Sequence, residues 1–187
     1  MTPIEEQLKE IYNKIVWTHK IQEKAADIHL ANHKNIKLAQ IILSAITAGT
    51  LIGSVFGKSE NGTIISALLS ALSVGFQAYT KDLDFGQKSN QHGKTANALR
   101  AIREDYLSLL TDIHSVVMTH EQIAERRDQL KIRLDEIQDT APRTGPMALK
   151  RANKALNVKN DHTFDGPELD RFLPAGLRSK NTGKTPQ

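Results

Sequence analysis

Two apolar stretches without a single charge lie close together in this chain. The segment 38–57 reads LAQIILSAITAGTLIGSVFG, and the segment 61–80 reads NGTIISALLSALSVGFQAYT. Each holds about 20 residues, and a helix of that length at ~1.5 Å rise per residue crosses a hydrocarbon core of ~30 Å. Only Lys58, Ser59 and Glu60 separate the two segments. The pattern predicts a membrane helical hairpin with both termini on the same side.

A buried hairpin in a soluble protein is the competing interpretation, because Ser, Thr, Gly and Ala keep both stretches only moderately hydrophobic. A buried soluble helix normally keeps a charged stripe toward water, and neither stretch has a charge in about five turns. The membrane interpretation is therefore favoured. The mean hydropathy of −0.40 does not oppose it, since long polar flanks dilute two short apolar windows.

The composition excludes several classes of protein. The chain has 187 residues, a formal net charge of +4 and no cysteine. Disulfide frameworks, cysteine metal sites and thiol nucleophiles are thereby ruled out. The N-terminus MTPIEEQLKE has no basic segment followed by an apolar one, so it is not a signal peptide. The first apolar segment is expected to act as an internal anchor.

Basic residues near the hairpin predict its orientation. His33, Lys34 and Lys37 precede the first span, and Lys81 and Lys88 follow the second. The connector offers only a lysine that is balanced by a glutamate. Because basic residues accumulate on the cytosolic side, both termini are expected to be cytosolic.

The flanks predict long helices on either side of the hairpin. Pro3 suits a helix start, and no Gly or Pro occurs between Ile4 and Ala48, so residues 1–37 should continue as one helix, or two nearly collinear ones, into the first span. Gly86 and Gly93 predict an elbow over 81–93. A second cytosolic helix is expected from about Thr95 to Asp139, with an apolar seam at Leu99, Ile102, Tyr106, Leu109, Ile113, Val116, His120, Ile123, Leu130, Leu134 and Ile137. The two flanking helices could pair within one chain or between chains.

The last segment, 141–187, has a different character. Nine Lys or Arg face four Asp or Glu there, and Pro and Gly recur throughout. A flexible basic tail is predicted, in which a short helix over 147–158 and an island over 164–177 stand out. The tail could alternatively dock a partner or anionic headgroups. The expected fold is all-α: a cytosolic N-terminal helix (1–37), a two-transmembrane hairpin (38–80), a cytosolic helical region (81–140) and this tail.

The sequence offers little for catalysis or cofactor binding. His29 and His33 are one helical turn apart, but no third ligand stands beside them. The run TGKT at 182–185 resembles the end of a phosphate-binding loop, yet Arg178 occupies the place of the required glycine. We therefore predict no enzyme activity, no metal, no cofactor and no direct binding of nucleic acid.

Polar and small residues follow helical spacing inside the spans. The second span carries a polar stripe, which is made of Thr63, Ser66, Ser70, Ser73 and Gln77; the first carries a shorter counterpart, Gln40, Ser44 and Thr47, and a small-residue ladder, Ala45, Gly49, Gly53 and Gly57. The ladder lets two helix backbones approach closely. The hydroxyls either bond within the hairpin or line a water-filled path. Two helices cannot enclose a pore, so the second alternative requires a homo-oligomer.

The residues before and inside the first span resemble a known family. IYNK at 11–14, WTHKIQEKAAD at 17–27 and the segment 36–51 are similar to the SLATT family, the SMODS and SLOG-associating two-transmembrane effector domains. The resembling lead-in includes Trp17, Thr18, His19, Lys20 and Glu23. The resemblance covers about residues 5–140 and leaves the tail outside.

The resemblance implies a bacterial defence effector. Such proteins are encoded beside nucleotide synthases, nucleotide sensors or reverse transcriptases, and are thought to form pores in, or disrupt, the inner membrane when infection is sensed. The family brings no catalytic residues to this chain. The expected function is thus an oligomer that permeabilises the lipid bilayer in abortive infection. The alternative is a membrane-anchored adaptor that recruits a cytosolic partner through its helices and basic tail.

Overall fold

The computed structural model describes residues 3–57 and 60–161, and over these ranges the protein is all-α, as predicted. Five helices follow one another along the chain: α1 Pro3–Gly57, α2 Glu60–Lys81, α3 Phe85–His114, α4 His120–Asp139 and α5 Pro146–Asn157. The chain divides into two compact units, Met1–Ala152 and Asn153–Gln187. The first unit contains α1 to α4.

The helix α1 is a single element of 55 residues, so the prediction of one continuous helix from the N-terminal region into the first span is confirmed. At 1.5 Å rise per residue it is about 80 Å long. It begins at a proline, whose missing N–H has no role in the first turn. No Gly or Pro interrupts the helix between Ile4 and Ala48, and the helix continues through Gly49 and Gly53.

The α1–α2 hairpin leaves its apolar residues largely uncovered. Both helices are long and apolar enough to cross a membrane, and only 6% and 11% of their apolar windows are buried within the chain. Ile41 and Phe56 are among the large apolar side chains that face outward. A hairpin buried in a soluble core would cover such residues, so the exposure agrees with the membrane interpretation.

The elbow after the second span is shorter than predicted. The helix break spans only 82–84, whereas Gly86 and Gly93 lie inside α3. Asp84 ends the break by accepting a hydrogen bond from the backbone N–H of Gln87 at 3.0 Å, a standard N-cap contact. A Cβ added at Gly86 would lie 3.2 Å from the ring of His33. This glycine therefore permits close approach of α1 and α3 and does not mark a bend.

The predicted helix over 95–139 is wrong in one respect, because residues 115–119 divide it into α3 and α4. Thr119 caps α4 with a capping box: its side chain accepts from the backbone of Gln122, and the Gln122 side chain accepts from the backbone of Thr119. Val116 lies in the turn with φ 54° and is largely exposed, so it does not belong to the apolar seam.

The N-terminal part of α1, α3 and α4 form a helical bundle with one apolar core. Leu8 and Ile15 come from α1, Leu99, Ile102, Tyr106 and Leu109 from α3, and Leu130 and Leu134 from α4. The long α1–α3 contact is antiparallel, because Ala26 meets Ser89 and Gln22 meets His92. The predicted pairing of the two flanking helices thus occurs within one chain.

The beginning of the predicted tail is helical. The helix expected over 147–158 is present as α5, and its Ala148 and Ala152 are buried. Pro142, just before it, accepts a hydrogen bond from the side-chain amide of Gln22 at 3.1 Å. The island 164–177 and the run at 182–185 lie outside the described residues, as does the predicted flexible behaviour beyond 161.

Candidate functional site: the hairpin seam and its polar residues

Polar side chains join the two spans. We call the facing positions the hairpin seam: Gln40, Leu43, Thr47, Thr50 and Ser54 of α1, with Ser66, Leu69, Ser73, Phe76 and Thr80 of α2, all of them buried or half-buried. Ser66 Oγ donates to Thr50 Oγ1 at 3.0 Å, and Gln40 Nε2 donates to Thr80 Oγ1 at 3.0 Å. These two bonds lie at opposite ends of the seam and fix the register of the helices.

Most hydroxyls in the spans are also bonded within their own helix. Thr47 Oγ1 donates to the carbonyl of Leu43 at 2.8 Å, and Ser54 Oγ donates to that of Leu51 at 2.8 Å. Ser73 differs, because its Oγ is buried and has no hydrogen-bond partner among the described residues. A hydroxyl in that position carries a desolvation cost that a partner elsewhere in an assembly would relieve.

The polar stripe of α2 is only partly used by the seam. Ser66 and Ser73 turn toward α1, whereas Thr63, Ser70 and Gln77 are exposed on the neighbouring face. The shorter stripe of α1 is divided in the same way. Gln40 and Thr47 are half-buried in the seam, and Ser44 is exposed. The hairpin therefore presents a polar strip to its surroundings beside its own contact.

The small-residue ladder lies away from α2. Ala45, Gly49, Gly53 and Gly57 are all exposed, and a Cβ added at any of the three glycines would meet no atom within 4 Å. The close contact between the spans thus uses serine and threonine and leaves the ladder uncovered. Its role in helix packing remains a prediction about contacts outside this chain.

The family-like lead-in lies in α1 within the helical bundle. Trp17 is half-buried and His19 is buried. Thr18 Oγ1 donates to the carbonyl of Lys14 at 2.8 Å, a bond inside the helix. These residues thus lie below the hairpin and help to build the bundle.

Lys20 and Glu23 form an ion pair on the same helix. Lys20 is buried, and its Nζ lies 3.1 Å from Glu23 Oε2. Burial alone would raise the pKa of Glu23, but hydrogen bonds and attraction from Lys20 and Lys24 outweigh burial and lower that pKa. The pair keeps the lysine charge balanced where α1 enters the bundle.

A polar contact between α1 and α3 was not predicted from the sequence. His92 Nδ1 lies 2.6 Å from Gln22 Oε1, and because that oxygen can only accept, Nδ1 carries the proton. His29 stacks on His92 with ring centroids 5.2 Å apart and planes 11° apart, and also on Phe85. Gln22 and His92 are 70 residues apart in the sequence. A contact at that separation leaves no local sequence pattern from which it could be predicted.

Both stacked histidines are held toward the neutral form. Burial lowers the pKa of His29, and the charge of Lys88 lowers it further. Burial likewise lowers the pKa of His92, with a contribution from the charge on His29. The pair His29 and His33 does not share a ligand position, because His29 stacks within the bundle and His33 lies against Gly86.

The described residues lack a cluster of metal-binding side chains. No group of three or more His, Cys, Asp or Glu within 3–57 and 60–161 is placed to hold a metal ion. What these ranges do assemble is a helical bundle connected by an unbroken α1 to a hairpin with an outward polar strip. This arrangement suits transmission of a conformational change to a membrane.

Comparison with known proteins places the chain in a family. A family model described as SMODS and SLOG-associating 2TM effector domain family 4 matches residues 4–168. The expected end of the resemblance at residue 140 is therefore wrong, because α5 lies inside the matched region. No curated protein and no solved structure matched the chain.

Family membership carries a general function. These domains are two-transmembrane effectors of conflict and defence systems, and they are associated with SMODS and SLOG nucleotide signalling. The two apolar helices agree with a location in a membrane. With a match that spans most of its length, the chain belongs to family 4 of the SMODS and SLOG-associating two-transmembrane effector domains.

Proposed function

We propose that this chain is an inner-membrane effector that oligomerises through its hairpins and permeabilises the bilayer when an infection or nucleotide signal arrives. Both termini lie in the cytosol. The signal reaches the chain through a partner, such as a nucleotide synthase, a nucleotide sensor or a reverse transcriptase. The outcome is arrest or death of the infected cell.

One observation carries the proposal: three of the five residues of the polar stripe of α2 face outward. Thr63, Ser70 and Gln77 are exposed on the hairpin. Polar side chains exposed to hydrocarbon are costly, and in membrane proteins they normally face another helix or a water-filled cavity. An assembly of several hairpins with these residues turned inward provides both a neighbouring helix and a water-filled cavity. A ring of hydroxyls and amides without charges would line a weakly selective path.

The helical bundle supplies a place for regulation. It joins α1, α3 and α4 below the spans, and α1 runs from it into the membrane without a break. A partner that binds one arrangement of the bundle more tightly shifts the population of hairpins toward that arrangement. The effector is inactive in one arrangement and conducting in the other.

The test separates the exposed strip from the hairpin seam. A variant with Thr63→Val, Ser70→Ala and Gln77→Leu should insert into the membrane but no longer depolarise cells, as measured with a potential-sensitive dye during induced expression. The control replaces three exposed apolar residues of the same helix: Ile64→Leu, Leu68→Ile and Leu72→Ile. It should depolarise cells as the parent does. Full depolarisation by the first variant would refute the pore-lining role.

A chimaera distinguishes the effector from the adaptor alternative. Residues 38–80 are replaced by an unrelated two-span hairpin, with α1 kept in helical register. A tether has no sequence requirement, so an adaptor would keep its function in this chimaera. The proposed effector would lose depolarisation while still appearing in the membrane fraction.

A further inference from the structure

A cavity of about 1040 Å³ opens between α1 and α2 at the ends of the two apolar segments nearest the bundle. Its walls come from 33–44 of α1, from 74–81 of α2 and from the short break before α3. These are the last turns of both spans on the side of the two termini. The cavity therefore lies at the depth where lipid headgroups meet acyl chains.

The ionisable residues that line this cavity are mainly basic. Lys37, Lys81 and His33 line it, and Asp84 is the one acidic residue among its lining residues. The carboxylate of Asp84 already accepts the backbone N–H of Gln87 at 3.0 Å as the cap of α3. Two lysines against one aspartate give the lining a net positive charge. An anion is the complementary occupant.

The other wall of the cavity is apolar and continues onto the spans. Ile41 and Val74 line it, and both are about two-thirds exposed, at 65% and 67%. At the base, Gln40 and Thr80 are joined by their hydrogen bond, which closes the cleft between the helices. An amphiphile with a charged head and an alkyl chain matches both walls, whereas a soluble anion would use only the basic one.

We infer that this cavity binds an anionic phospholipid from the leaflet on the side of the termini. The headgroup phosphate lies between Lys37 and Lys81, and an acyl chain lies along Ile41 and Val74. The site requires only a hairpin in the membrane, and it shares Gln77 with the strip that the proposed function assigns to the pore. It sits where the spans meet the bundle, so a bound lipid would bridge the two parts of the effector.

Native mass spectrometry of the full chain in detergent tests the inference. Phosphatidylglycerol is titrated and compared with phosphatidylcholine, and with inorganic phosphate and glycerol 3-phosphate as headgroups without chains. One phosphatidylglycerol should bind tightly, well ahead of the other three probes. Lys37→Gln with Lys81→Gln should weaken its binding roughly thirtyfold, since each lysine near a membrane surface contributes about a factor of five.

The matched control removes the same charge elsewhere. Lys34 and Lys94 are exposed and do not line the cavity, so Lys34→Gln with Lys94→Gln should bind phosphatidylglycerol as the parent does. Equal weakening by both double variants would mean that net charge and not a site attracts the lipid, which overturns the inference. Equal binding of phosphatidylcholine overturns it as well. Binding of inorganic phosphate as strong as that of phosphatidylglycerol would assign the cavity to a soluble anion.

Two further variants distinguish loss of the binding site from a failure of the chain to fold. Lys37→Arg with Lys81→Arg keeps both charges and should retain binding. Ser44→Trp places a bulky indole in the cavity without changing any charge, and it should weaken lipid binding. Phosphatidylglycerol binding that is unchanged in a folded Ser44→Trp chain would show that the lipid sits elsewhere, and the inference would fail.

Discussion

The stacked pair His29 and His92 makes the stability of the bundle depend on pH. Both pKa values are lowered in the folded chain, chiefly by burial. The folded state therefore binds fewer protons than the unfolded state, whose histidines titrate near ~6.5. The stabilising contribution of these two histidines is therefore fully present above that pH. It is lost as the pH decreases through it toward the folded pKa values. We predict that the melting temperature, followed by circular dichroism in detergent, declines from about pH 7 to about pH 5.

The variant His29→Phe isolates this effect. Phenylalanine keeps the stacking surface toward Phe85 and His92 but cannot be protonated, so the decline should become shallower. His120 is exposed at the start of α4, and His120→Phe serves as the control that keeps the parent slope. A slope unchanged by His29→Phe would show that other groups cause the acid sensitivity.

At the same scale, the sequence predicts local contacts and misses distant ones. The helix start at Pro3 and the charge pairs within α1 follow from spacings of three and four residues. Gln22, His92 and Pro142 come together only after the chain has reversed direction twice. Such contacts depend on helix register, which no single-sequence pattern determines.

At the scale of elements, the turn between α3 and α4 carries backbone strain. Val116 has φ 54°, in the left-handed region that a β-branched residue avoids, and it is 86% exposed. Asparagine tolerates this region better and loses no buried surface here. Val116→Asn should therefore stabilise the chain by about 1 kcal/mol, measured as a rise in the thermal or urea midpoint.

The neighbouring valine provides the control for that change. Val117 is also exposed, at 72%, but its φ is not positive. Val117→Asn should leave the midpoint nearly unchanged. Stabilisation of the same size by both variants would attribute the effect to removal of exposed apolar surface and not to relief of strain.

The elements also show how far apolar periodicity carries a prediction. Charge-free length predicted both spans, and the apolar seam predicted which faces of α3 and α4 enter the core. The break at 115–119 was missed because apolar residues continue at helical spacing through it, although Thr119 and Gln122 form a capping box. The polar stripe of α2 was predicted as one continuous face. Of its five residues, only Ser66 and Ser73 lie in the hairpin seam. Periodicity identifies a face without saying what the face contacts.

For the whole molecule, the central question is how the bundle acts on the spans. The two are connected by α1 without a break and by the short turn between α2 and α3. A well-packed bundle therefore restricts the orientation of the hairpin, and loosening the bundle releases that restriction. We propose that an intact bundle favours the closed assembly without abolishing conduction, since the parent is expected to depolarise cells on induced expression.

Leu130→Ala tests this coupling. Leu130 is fully buried between the helices of the bundle, and its truncation removes about 2–5 kcal/mol of packing. If the bundle restrains the hairpin, this variant should depolarise cells several-fold faster than the parent at equal membrane amounts. Ile132 is on the same helix but 61% exposed, so Ile132→Ala should behave as the parent. Slower depolarisation by a folded, membrane-inserted Leu130→Ala chain would mean that an intact bundle builds the conducting assembly, and the direction of control would be reversed.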